Sequence, residues 1–152
     1  MKKKLNLLFA LMGLLLLACE VAPQEIVYGQ VNCAHCNMTV SDSRYGAELV
    51  SSKGKAFMFD SAECLAAYLI DNPEKKQDAA FVLVTDFAKP NTLIDVKNAA
   101  FLQSENLPSP MGLFLTAFAD KNTAGQFQQK HKGRLLSWEE AVLAVQNDEK
   151  PF

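Results

Sequence analysis

Covalent haem attachment needs a histidine directly after the second cysteine of a C-x-x-C pair, and here Asn37 follows Cys36 in V-N-C-A-H-C-N-M-T-V, residues 31–40. That excludes haem. No basic patch interrupts the chain, so nothing is laid out to hold a phosphate backbone, and nucleic acid is excluded as a partner. The apolar run near the start, Leu5 to Leu17, is shorter than the roughly 20 residues that cross a bilayer as a helix. Cysteine and histidine are both scarce, with four and two copies in 152 residues. Any site built from them uses a large share of the supply.

What stands at the start has the parts of a secretory signal: three lysines, the apolar run, then small residues. Leu16-Leu17-Ala18-Cys19 has the form of a bacterial lipobox, in which the chain is cut before the cysteine and its sulfur takes a diacylglycerol. Residues 1–18 are therefore expected to be a lipoprotein signal peptide, with Cys19 lipidated and residues 19–30 serving as a linker. The mature protein would face the periplasm, held to the inner or the outer membrane. Cleavage takes three lysines and no acid, so the 15 basic residues fall to 12 against 17 acidic ones, a net charge of −5. Three cysteines remain, Cys33, Cys36 and Cys64, and an odd number cannot close into a full disulfide framework. Free thiols in an oxidising compartment need a reason, and metal is the first candidate.

The composition, 49% hydrophobic and 21% charged, supports a packed core. Tyr45 to Val50 and Lys55 to Phe59 read as strands around the turn S-S-K-G. Asp60 and Glu63 look like a capping box opening a helix, with Cys64 in about its first turn, and Asn72-Pro73 is expected to end it. A-F-V-L-V, residues 80–84, reads as a buried strand. The second half offers strands at Leu93 to Val96, Ala99 to Leu102 and Leu113 to Phe118. A short helix in N-T-A-G-Q-F-Q-Q-K-H-K, a strand in G-R-L-L and a capped helix in S-W-E-E-A-V-L-A-V follow. The fold class is α+β, with two related β-β-α-β modules over residues 31–88 and 89–152, although no identity between the halves is visible.

The residues leave three readings of C-A-H-C open. A thiol–disulfide oxidoreductase uses such a pair, but its first cysteine sits at a helix N-terminus, whereas N-M-T-V-S-D-S-R-Y-G has turn and strand character. A structural zinc module would join Cys33 and Cys36 to Cys64, yet it wants a fourth N or S ligand, and His131 is far along the chain. Cu(I) is soft, favours thiolate and thioether, and needs fewer ligands. Met38 follows the pair in a polar turn, and Met111 is presented by the rigid L-P-S-P-M-G. Met58, inside F-M-F, reads as core filler. Cys64 lies on the apolar side of its helix, where a cysteine can simply be a small hydrophobe, and His35 is an auxiliary ligand candidate.

N-C-A-H-C-N-M-T-V-S-D-S-R-Y-G-A-E-L-V, then K-G-K-A-F-M-F-D-S-A-E-C, then S-P-M-G before A-F-A-D, resembles the NosL family of copper-binding lipoproteins. The resemblance runs over residues 31–145, together with the lipobox. It implies a monomeric Cu(I) metallochaperone and not an enzyme, which supplies copper to nitrous oxide reductase or its maturation machinery in the periplasm. The family's cysteine–methionine signature falls on Cys33, Cys36 and Met38, its later methionine on Met111, and Cys64 matches a cysteine common in the helix after the hairpin.

Overall fold

Every residue of A-E-L-V-S is buried in the computed structural model, which describes residues 20–151. The expected signal peptide and Cys19 lie outside those residues. This strand, β1 (Ala47–Ser51), does not alternate, so both its faces are covered; β2 (Ala56–Phe59) pairs with it on one side and β3 (Ala79–Thr85) on the other, both antiparallel. Ala47 faces Phe59 across one pair and Val84 across the other. Gly54, at φ 78°, supplies the left-handed residue that the β1–β2 turn requires.

Helix α1 (Ala62–Asp71) joins β2 to β3. Its cap is Ser61, whose side chain accepts from the Cys64 N–H at 3.3 Å; the expected Asp60 lies one residue earlier and is itself buried. Asn72-Pro73 ends α1, as expected, but a short α2 (Pro73–Gln77) starts at once, because proline fits the first position of a helix, where no N–H is needed.

The second module repeats this order. β5 (Ala100–Gln103) pairs antiparallel with β6 (Leu115–Phe118) and β7 (Arg134–Leu136), and α3 (Lys121–His131) connects β6 to β7. In each module the first strand is central, the second and third flank it, and the helix bridges the flanks. The strand expected at the start of the second half, β4 (Leu93–Asp95), pairs with β3 and extends the first sheet past residue 88. The C-terminal α4 (Trp138–Gln146) has a full capping box between Ser137 and Glu140 and packs on α1. Phe59, Leu65, Val84, Phe101, Leu115 and Trp138 belong to one core spanning both modules. Among the described residues no helix is long and apolar enough to cross a membrane.

Candidate metal centre

The cysteine pair sits in a turn closed by its own backbone. The Cys33 N–H donates to the Met38 carbonyl at 2.8 Å, the Asn37 N–H donates to the Cys33 carbonyl at 3.0 Å, and a lone bridge pairs Asn32 with Thr39. Asn37 takes φ 62°, a left-handed conformation that asparagine tolerates better than most residues. The Ala34 N–H donates to the Met58 carbonyl at 2.8 Å, which ties the turn to β2 beside the start of α1. Cys64 is the third residue of α1, and its N–H is held by Ser61. Two covalently remote pieces of chain therefore meet at one end of the first sheet.

Their sulfurs converge. The Sγ atoms of Cys33, Cys36 and Cys64 all lie within 4.8 Å of one another, and the three cysteines are unbonded. Cys33 and Cys64 are buried and Cys36 is half-buried. Three thiolates holding one ion at about 2.3 Å stand about 4 Å apart, so the separation fits a single metal with little movement. Within the group every donor is sulfur. Such a set suits a soft ion, and no histidine or carboxylate of the described residues completes a tetrahedral zinc site in it.

The three thiols are electrostatically unequal. The Cys64 S–H donates to the Cys33 sulfur and, helped by the backbone N–H groups of Cys36, Asp60 and His35 against the penalty of burial, lowers the Cys33 pKa to about 4. Cys64 is pushed up because it is that donor and because it is buried beside a thiolate. Burial raises Cys36 as well. Of the three, Cys33 is the thiol that ionises most readily, and Cys36 and Cys64 hold their protons more tightly. Asp60, buried close by, is raised first by burial and further by the Cys33 charge.

The two methionines lie at the rim of the protein. Met38 is 47% exposed and Met111 38%, an unusual placing for side chains that elsewhere fill cores. Met38 is bound to the thiol turn through its carbonyl. The Met111 loop leans on α1: Ser109 Oγ–H and the Leu115 N–H both donate to Glu63 Oε1, and the Tyr45 O–H donates to the Pro108 carbonyl at 2.9 Å. Met58 packs against the core. His35 points elsewhere, with Nδ1 3.9 Å from Asp71 Oδ2 at the far end of α1, and His131 stacks on Phe127.

Cys64 and Glu63 change most between sequence and structure. By its own helix Cys64 reads as a small hydrophobe on an apolar side, whereas the structure sets its sulfur with the pair. Glu63 reads as a cap in sequence, yet it is 2% exposed, and burial raises its pKa against the opposing Ser109 hydrogen bond. Its signal was present, a glutamate among A-E-C-L-A-A beside a cysteine, but capping is a sufficient account of such a residue until burial is known.

The family model described as NosL matches residues 25–145. The crystal structure of the copper chaperone NosL from Shewanella denitrificans superposes with a TM-score of 0.68 at 24% sequence identity, covering 80% of this chain and 96% of that one. None of the curated proteins matches.

Proposed function

The chain belongs to the NosL family, and from that premise we propose that it is a Cu(I) metallochaperone rather than an enzyme. The observation that carries the proposal is the all-sulfur group of Cys33, Cys36 and Cys64 within 4.8 Å. Copper is the cargo. Cys33 offers a ready thiolate, Cys36 and Cys64 give up protons on loading, and the exposed thioethers of Met38 and Met111 bind without losing any. The thiols are buried or half-buried and both methionines are exposed at the protein surface, so in this reading an incoming ligand from a partner replaces the thioethers first. The ion then passes by exchange and is never free. His35 stands outside this set, next to Asp71.

Nitrous oxide reductase, or the machinery that matures it, is the recipient we propose. The protein would work as a monomer in the periplasm, anchored through lipid on Cys19. Competition between the purified protein and a chromophoric Cu(I) chelator tests the site. Cys33→Ser should weaken Cu(I) by more than about 100-fold, beyond the 10- to 100-fold typical of losing an outer partner. An unchanged affinity would remove the assignment. Transfer of the loaded copper to copper-free nitrous oxide reductase, read by recovered activity, tests the recipient.

One observation favours a second reading. A thiolate as acidic as Cys33, three residues from Cys36, is also what a thiol–disulfide oxidoreductase uses. Here Cys33 lies in a turn and the helix N-terminus belongs to Cys64. Metal-free protein that reduces insulin with turnover would support that reading over the chaperone.

A further inference from the structure

The loop that carries Met111 belongs to the second module, but it is fastened at both ends to one carboxylate oxygen of the first. Glu63 Oε1 accepts from Ser109 Oγ–H before the methionine and from the Leu115 N–H, 3.1 Å away, after it. Ser109 also closes the loop on itself: its Oγ accepts from the Phe114 N–H at 2.8 Å and its carbonyl from the Gly112 N–H at 3.2 Å. Glu63 immediately precedes Cys64, so one turn of α1 bears both a thiol of the metal group and the clasp on the methionine loop.

Stability alone does not explain a carboxylate here. Glu63 is buried, and its second oxygen, Oε2, has no hydrogen-bond partner among the described residues. An apolar side chain of similar volume would fill the space without desolvating a carboxyl group. What an apolar residue cannot supply is a single acceptor facing both ends of a five-residue span.

We infer that Glu63 is a positioning residue, which holds the Met111 loop at a fixed place relative to Cys64 so that copper meets its thioether in one geometry. This rests on Met111 being a copper ligand, and the test separates the two claims. Cu(I) affinity of the purified full chain is measured by chelator competition for Met111→Ala, Glu63→Leu, Glu63→Gln and Ser109→Ala, and for Glu63→Leu combined with Met111→Ala. Sulfur ligands are counted by X-ray absorption. Met111→Ala should weaken Cu(I) by about tenfold, and Glu63→Leu should do the same with one sulfur fewer, as losing an outer partner does. Glu63→Gln keeps an acceptor oxygen and should restore affinity to within about twofold of the parent. In the double variant the two losses should not add, because they remove the same ligand.

If Met111→Ala changes neither affinity nor sulfur count, the ligand reading fails, and the positioning role with it. If Met111→Ala weakens binding but Glu63→Leu does not, or the losses add fully, Glu63 is structural and only the positioning role falls. Should Glu63→Leu fail to fold, Ser109→Ala opens one arm of the clasp from the loop side. It should then weaken Cu(I) in the parent and have no effect in Met111→Ala. An effect of equal size in both backgrounds overturns the inference.

Discussion

In the first module Phe59 ends the second strand and Ser61, two residues on, caps α1; in the second, Phe118 and Asp120 hold the same places before α3. Three residues after each cap the backbones again agree, since the Cys64 N–H donates to Ser61 and the Thr123 N–H to Asp120. The side chains there do not agree. The Thr123 hydroxyl turns back to Asp120 and finishes the cap, whereas the Cys64 thiol turns outward to Cys33. The first module also has a C-x-x-C turn laid against its second strand through Ala34 and Met58, and no second cysteine pair precedes β5. The same β-β-α-β frame folds with either residue at this helix position. What sets the first module apart is one turn and one side chain, which bring three sulfurs together on a frame that the second module shares.

The largest effect should come from erasing that difference. Cys64→Thr makes the first helix start like the second and leaves the Ser61 cap, which uses only the backbone N–H. Cu(I) affinity should fall by at least about 100-fold, more than the loss of an outer partner. The cost to folding should stay near 1–2 kcal/mol, the range for modest changes of shape in a core. Chelator competition and thermal melting check the two halves. A melt that collapses along with the affinity would show that frame and site are not separable.

A second effect sharpens the comparison through protons. Cys36 and Cys64 have raised pKa values and are protonated in the metal-free protein at neutral pH, while Cys33, at about 4, is already ionised. Binding through all three thiols must then release two protons. Affinity should rise with pH by about 100-fold per unit between pH 6 and 8, since ligands must lose their protons to bind. A parent slope of tenfold would place Cys64 outside the copper shell.

How far the sequence discloses this depends on the range of each interaction. The hairpin, the C-terminal capping box and the repeated β-β-α-β order follow from local signals, and they are where the residues suggest. β4 is different: three residues, L-I-D, do not say which of two sheets they join, and pairing with β3 settles it across the loop after Thr85. Cys64 is understated for a related reason. Helical periodicity assigns it a side, but at the third position of α1 the neighbours come from residues 33–36, about thirty positions earlier, and no period reports them. His35 shows the converse, since closeness in sequence to Cys33 and Cys36 does not turn its ring from Asp71.

The smallest effect concerns the caps themselves, and it decides whether the helix start is part of the site. Ser61 is wholly buried, and Ser61→Ala should cost about 1 kcal/mol, as capping serines do. Because the same cap fastens the Cys64 backbone, Cu(I) affinity should also fall, by a few-fold. Asp120 is exposed, so Asp120→Ala should lower the melting temperature less and leave copper binding unchanged. Its contribution also has a pH signature that serine lacks. The Thr123 N–H and hydroxyl hold the Asp120 pKa below 3.8, so its stabilisation is present above that value and fades as pH falls through the lowered one. Melting and chelator competition on the two variants at neutral pH give the answer. If Ser61→Ala weakens folding alone, as Asp120→Ala should, then α1 needs its cap only to be a helix, and Cys64 is aimed by the packing of its neighbours.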